Sequence, residues 1–285
     1  MPKRKRFDSM GATQEPTGFQ KTSVNIPDEL VYKLEDAKLT YLDVVAYMTK
    51  DNHPNLPAGE LALERTFWVH SNIGENEMDR YICPAREPGG GKCPICERLK
   101  EMERSGEMTS DELYKFAPRR RQLWAIRDTK TKEPWKVWDV SYYLFGKVLN
   151  EAVRDLDDDE QDYRYFADTE EGFTLKLGVN EESFRGNKFY SVASVGFKER
   201  AKQYTEEQAN KIPCLDDFLT IKSYDELANV IANGPIGPLG GHQTPSVDAE
   251  YVPDGPSPEV VEETAAGEVI PPPPADDSDD EWSDF

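Results

Sequence analysis

The spacing of apolar and polar positions changes several times along the chain, and those changes set the first outline of its elements. From Ile26 the segment PDELVYKLEDAKL places Ile26, Leu30, Val31 and Leu34 on one helical face, with Asp28 and Glu29 suited to a first turn, so a helix is predicted there. Leu61–His70 predicts a strand leading into a loop, followed by the short run Tyr81-Ile82. Residues 94–104 (PICERLKEMER) suit a short helix. Further β-type runs stand at Leu123–Arg127, Trp135–Val140, Phe173–Val179 and Phe189–Phe197. Between the second and third of these, Ser141–Leu156 alternates at helical spacing through Tyr143, Leu144, Val148, Leu149 and Val153. Ser223-x-x-Glu226 forms a capping box before Leu227, Val230 and Ile231, and Asn233-Gly234-Pro235 stops that helix. There is no internal repeat. The pattern predicts a mainly β core with helices, an α+β class; it does not decide between a small barrel and an open α+β sheet.

The ends lack this periodicity. Residues 1–24 read as a basic arm, and Gly234–Gly241 (GPIGPLGG) as a linker into a Pro-rich, acidic tail. The expected organisation is an arm over 1–24, a core over 25–240, and a linker and tail over 241–285. Only 37% of the 285 residues are hydrophobic, and mean hydropathy is −0.73, as expected when a folded core is diluted by disordered ends. No run approaches the roughly 18–20 apolar residues of a membrane span, and the N-terminus lacks the apolar stretch of a signal peptide. A protein that stays in the compartment where it is made is the expectation.

A formal net charge of −21 argues at first against a nucleic-acid partner, but the charge is unevenly placed. Residues 245–285 carry thirteen acids and no Lys or Arg, and residues 1–24 balance at +3, which leaves −11 for 25–244. Within that core, residues 155–171 hold nine acids against one Arg, whereas 115–136 hold eight Lys or Arg against two acids. A basic strip lies between acidic segments.

Three of the four cysteines, Cys83, Cys93 and Cys96, fall within fourteen residues. Such crowding favours metal binding over a disulfide framework. With an upstream imidazole the set is His-x12-Cys-x9-Cys-x2-Cys if the histidine is His70; His53 is also upstream. Zinc takes S and N ligands in a tetrahedron, and four protein ligands leave no position for a catalytic water, so the ion would be structural. Pro94 and Gly89-Gly90-Gly91 permit the tight backbone required. Two other readings are a Cys-Pro-Ile-Cys redox pair, for which no thioredoxin-like βαβ pattern is present, and inert buried thiols. A zinc deaminase is excluded for want of a His-x-Glu element. No phosphate-binding glycine loop or nucleophile elbow occurs, and nothing in the chain reads as an active site.

The basic strip is interleaved with aromatics: Tyr114, Lys115, Phe116, Arg119, Arg120, Arg121, Trp124, Arg127, Trp135, Lys136, Trp138, Tyr142 and Tyr143. Single-stranded nucleic acid is held by this pairing, cations on phosphates and aromatic faces on bases. The competing reading makes Trp124, Trp135 and Trp138 core residues and the arginines a solvated edge. Arg119 and Arg121 share a groove with Arg120 only if the strand has not yet begun at Arg121. Phe184, Arg185 and Lys188, around a predicted turn, form a second, weaker instance. At the ends, Lys3, Arg4, Lys5 and Arg6 form a cation cluster. Trp282 and Phe285 sit among acids, so the tail imitates a nucleic-acid strand or docks on partner proteins.

Taken in order, these parts resemble the zinc-containing single-stranded-DNA-binding (helix-destabilising) proteins of tailed bacteriophages. The His70/Cys83/Cys93/Cys96 spacing matches that family's zinc site. Lys3-Arg4-Lys5 matches its basic cooperativity motif, with Arg6-Phe7 in place of the usual continuation. Tyr114, Arg119, Arg120 and Trp124, then Tyr143 before Phe145-Gly146, and Phe184, match its DNA cleft; Leu123 stands where the family carries a cleft tyrosine. Ile221–Leu227 resembles the segment closing its core. The resemblance implies an OB-fold barrel with an inserted zinc subdomain at about residues 65–105 and one structural Zn2+ in which His70 is the fourth ligand. It further implies a non-enzymatic protein of the infected bacterial cytoplasm that coats single-stranded DNA during replication, recombination and repair. Self-association would run head to tail along the strand. The tail would recruit replication and recombination proteins such as a polymerase, a helicase loader or a recombination mediator. A zinc-ribbon regulator of transcription, binding duplex DNA or RNA polymerase, and a zinc-stabilised protein-interaction module are the alternatives.

Overall fold

The computed structural model describes residues 23–74, 79–131, 134–184 and 187–239. The cation cluster at Lys3, Arg4, Lys5 and Arg6, the tail residues Trp282 and Phe285, and Arg185 lie outside them. In chain order the elements are β1 (Thr40–Val44), β2 (Tyr47–Met48), β3 (Leu61–Ala62), β4 (Glu64–Ser71), β5 (Arg80–Ile82), α1 (Pro94–Ser105), α2 (Ser110–Leu113), β6 (Arg119–Asp128), β7 (Lys136–Ser141), α3 (Gly146–Arg154), β8 (Phe173–Phe184), β9 (Asn187–Glu199), α4 (Glu206–Ala209) and α5 (Tyr224–Ala232).

Seven strands form one antiparallel sheet in the order β5-β4-β6-β1-β8-β9, with β7 paired to the other edge of β6; β2 and β3 pair separately. The path is open, and no ladder joins its ends among the described residues. The class is α+β. Strand β6 is the hub: β4 pairs along Arg119–Trp124, β1 along Ile126–Asp128, and β7 along Arg121–Ile126. Its middle, Gln122–Ile126, is buried throughout, as a strand covered on both faces requires.

Directly paired residues share a face, so the registers sort the two sides of the sheet. On the front, Trp124, Ile126, Trp138 and Val140 join Leu42, Val44, Leu175 and Leu177 in a core covered by Phe145 and Leu149. The Phe145 ring lies 5.0 Å from Trp124 and 4.7 Å from Trp138. Gly146 follows because a Cβ there would stand 2.0 Å from the Gln122 amide oxygen. On the back, Phe67, Val69, Ile82, Leu123, Ala125 and Val137 pack against Tyr47, Leu215 and Phe218. Arg65 is buried among them, with Nε 2.9 Å from Asp216 and its other arm on Glu87. A third core, around α1 and α5, includes Ile95, Leu99, Met102, Leu227 and Ile231.

Several boundaries differ from those predicted. The segment after Ile26 forms one 3-10 turn, Asp28–Leu30, and not a helix. Val31 instead bridges Val137 in parallel, and the Tyr32 amide donates to the Val137 carbonyl at 2.9 Å. Pairing with β7 overrides a helical period that carries little intrinsic free energy. The helix predicted over Ser141–Leu156 is a 3-10 turn at Tyr142–Leu144 followed by α3. Strand β8 extends past Val179 through Asn180–Ser183, polar positions that give no apolar signal, held by pairing with Lys188–Ser191 of β9.

Candidate metal centre and cation–aromatic face

Four side chains from three segments converge at one end of the sheet. His70 is on β4, Cys83 follows β5, and Cys93 and Cys96 occupy the N-cap and first turn of α1. All four ligand atoms lie within 4.8 Å of one another. His70 Nε2 is 3.5 Å from both Cys93 Sγ and Cys96 Sγ, and Cys83 Sγ is 3.5 Å from Cys96 Sγ. Ligands about 2.3 Å from a central tetrahedral ion stand about 3.8 Å apart, so the set fits one metal ion and the thiols are free.

The surroundings prepare each ligand. His70 Nδ1 lies 2.9 Å from the Phe116 carbonyl oxygen. A proton on Nδ1 donated to that oxygen leaves the Nε2 lone pair facing the sulfurs, the usual outer-shell arrangement of a ligating histidine. Burial disfavours an imidazolium here, but the Cys83 and Cys93 sulfurs outweigh it and push His70 up to about 10. Hydrogen bonds from Cys93 and Cys96 hold Cys83 far below the usual thiol range, while Cys96 is pushed up by Cys83 and Cys93. The N-terminus of α1 adds its own partial positive charge to the sulfurs of Cys93 and Cys96. Gly90 lets the Cys83 loop turn back on itself, since a Cβ there would meet the Pro84 carbonyl at 1.7 Å.

His53 plays no part in this set. Its Nδ1 accepts from the Asn55 and Leu56 amides at 3.2 and 2.9 Å. The choice between the two imidazoles, open on spacing alone, falls to His70. The third core carries α5 on the back of α1, where burial and donation to Glu97 at 2.6 Å push the Tyr224 phenol up to about 12.

The cluster also orders the start of the basic strip. Besides the Phe116 carbonyl held by His70, the Lys115 carbonyl accepts from Asn72 Nδ2 at 3.2 Å. Asn72 has φ 62°, the left-handed conformation that asparagine tolerates better than most residues. Tyr114 and Lys115 are exposed on this pinned segment, and the Arg119 guanidinium lies 5.1 Å from the Tyr114 ring.

Strand β6 has begun by Arg119, so the three arginines alternate. Arg121 points to the back, where Asp139 receives its Nε at 2.6 Å and also pairs with Arg80. It does not share a groove with Arg120. On the front, Arg120 pairs directly across from Trp68 of β4. Its guanidinium lies 3.9 Å from the Tyr142 ring, and Arg86 lies 4.7 Å over Trp68. Tyr143, half exposed, meets Tyr142 edge-on at 5.3 Å. The result is one row across the sheet, Arg86, Trp68, Arg120, Tyr142, Tyr143. Beside it lies a cavity of about 440 Å³ lined by Arg120, Gln122, Trp124, Thr66, Glu64 and Asn150, among others. Two buried atoms of its lining, Gln122 Oε1 and Trp124 Nε1, have no hydrogen-bond partner among the described residues.

Other predicted contact residues are placed differently. Trp124 is 1% exposed, its ring covered by Phe145, and Trp135 is buried behind the sheet against Tyr204, its Nε1 donating to the Gln208 carbonyl. The core reading of these tryptophans describes this conformation. Lys188 lies on the β8–β9 hairpin, ion-paired with Glu181 at 2.6 Å; Phe184 ends β8 on that hairpin. Trp68 and Arg86 were missed in the sequence. Strand alternation did carry a signal for Trp68, since it stands two residues before His70 and so shares its face. Nothing in the spacing places Arg86 over it.

No protein-family model matches the chain, and no curated protein matches it.

Proposed function

We propose that the protein binds single-stranded DNA without sequence preference along the front of the sheet. The observation that carries this reading is the direct pairing of Trp68 with Arg120, which sets Arg86, Trp68, Arg120 and Tyr142 in one alternating row of cations and aromatic rings. Unpaired bases offer faces to such rings while phosphates meet the cations, each stacked base contributing about 1–3 kcal/mol. Tyr143 at the far end extends the row, whereas Arg119, paired with Val69, lies on the other face with Arg121.

In this reading the metal is one structural zinc that anchors the 114–118 segment, the open sheet corresponds to an OB-type barrel, and the protein is not an enzyme. The arm at Lys3–Arg6 links neighbours along the strand. The acidic tail recruits replication and recombination proteins in the cytoplasm of an infected bacterium, as the resemblance implies.

The test is fluorescence anisotropy of labelled oligo-dT and of duplex of equal length, over a salt series. Oligo-dT should bind with affinity falling steeply as salt rises, with a slope of about −0.7 per phosphate neutralised. Arg120→Ala should weaken binding and flatten that slope by about one phosphate, whereas Arg121→Ala, which removes a partner of Asp139, should leave the slope unchanged. Equal affinity for duplex would favour a transcription regulator. No binding to either would leave a protein-interaction module.

A further inference from the structure

The back of the same sheet carries a second cluster of cations and aromatics that the front row does not use. Tyr41 and Asp43 of β1, Arg127 of β6, Thr174 of β8 and Lys198 of β9 share this face through their registers. With Lys202, Gln203 and Tyr204 they line a cavity of about 430 Å³. Arg120 and Arg127 stand seven residues apart on one strand, so the cavity opens away from the front row.

Its charge balance is unusual for an acidic protein. Lys130 and Lys198 place their ammonium groups 5.4 and 5.7 Å from the Tyr41 ring centre, and Arg127 lies 5.7 Å from that of Tyr204. Lys176 pairs directly beside Tyr41. Against these stand Glu199 on the rim and the buried Asp43. Both Asp43 oxygens are already engaged, one by the Thr174 hydroxyl at 2.5 Å and the other by the Tyr204 hydroxyl at 2.5 Å, with Arg200 3.7 Å away. Asp43 keeps its charge, set against Arg200 and the directly paired Arg127, so the excess positive charge on this face is that of Lys130, Lys176, Lys198 and Lys202 against Glu199. Like charges held this close repel, and an anion relieves that repulsion.

We propose that this cavity is a nucleotide-binding site, with the base against Tyr41 and the phosphate among Arg127, Lys198 and Lys202. The chemistry matches each part. Tyr41 is half-buried and held at its base by β-pairing, a fixed ring face for a planar base. Lysine ammonium groups on flexible stems can move from that ring onto phosphate oxygens, where the arginine fork adds directed bonds. The volume lies within the range of small-molecule sites, about 300–1,000 Å³. The nucleotide arrives either free or as one unit of a strand bound along the front and continuing around the sheet; only the second source rests on the function proposed above.

The probes are thymidine 5′-monophosphate, inorganic phosphate, and oligo-dT of about six and about sixteen residues, spanning the site sizes of single-strand binders. Each is titrated into the full chain by calorimetry, with ligand-observed NMR for the mononucleotide. Thymidine monophosphate should bind, and Tyr41→Ala and the double variant Lys198→Glu/Lys202→Glu should each weaken it about fivefold or more, with unchanged melting temperature. Arg120→Ala should leave it unaffected. If the same back-face variants weaken the longer oligonucleotide but not the shorter, the site takes a unit of the strand; if neither oligonucleotide responds, it takes the free nucleotide. Absence of any effect of the back-face variants on mononucleotide or long oligonucleotide overturns the proposal. Inorganic phosphate binding as tightly as the mononucleotide also overturns it, since Tyr41 would then contribute nothing. Loss of oligo-dT binding in Arg120→Ala alone bears on the front row and leaves this site standing.

Discussion

Replacing Arg65 by Met removes the one cation between two buried carboxylates. The Arg65 side chain is 5% exposed, and those of Glu87 and Asp216 are 3% and 2% exposed, so water cannot take over the role of the guanidinium. Asp216 keeps the Tyr47 hydroxyl, which donates at 3.0 Å, but Glu87 loses the only ion-pair partner it has among the described residues. Breaking a buried pair from one side costs about 3–5 kcal/mol, because a stranded charge stays behind. For a folded unit of this size each kcal/mol lowers the melting temperature by about 2–4 °C, so Arg65→Met should lower it by about 6–20 °C in a circular-dichroism melt. Adding Glu87→Gln and Asp216→Asn to that variant should restore at least half of the loss, since neutral amides in the same space need no counter-charge. A loss below about 1 kcal/mol would refute the reasoning. A full loss that the double neutralisation leaves untouched would refute it too, and would assign the effect to packing of the arginine stem.

Three further outcomes follow from the cysteine–histidine end of the sheet and from α5. Cys93→Ser should reduce bound divalent metal from one ion per chain to none by atomic emission, and should destabilise the fold by about 4–5 kcal/mol, the range of a lost metal site; one retained ion would remove the assignment. Ser223→Ala should cost about 1 kcal/mol through loss of the α5 cap. The Glu226 carboxyl of that cap is held below its usual range by the Ser223 amide. A depressed carboxyl stabilises the fold above its unfolded value and loses that contribution as pH falls through the folded one. The wild-type advantage over Glu226→Gln should accordingly shrink on acidification; an advantage that grows would contradict the capping role.

The sequence by itself determined the three clustered thiols and most of the elements, while the choice of His70 over His53 fell to the fold. Cysteines two residues apart at a helix start stay close in any fold, and strict alternation or a capping box acts within a few residues, so Cys93, Cys96, the middle of β6 and α5 were all legible. The α+β class followed from the same local rules. Tertiary structure decided what covers each face. Alternation implied that Arg120 and Arg121 diverge if the strand had begun, but only the sheet showed that it begins at Arg119 and that Asp139 takes Arg121. A tryptophan in a strand is compatible with a stacking platform or a core, and Phe145 closing over Trp124 settled that position. The predicted helix after Ile26 yielded to an edge pairing with Val137, more than a hundred residues away. The front row and the back cavity are likewise assembled from strands distant in sequence: Trp68 meets Arg120, and Tyr41 meets Lys198. Periodicity reports which residues share a face, whereas long-range pairing decides which faces meet and which remain open to a ligand.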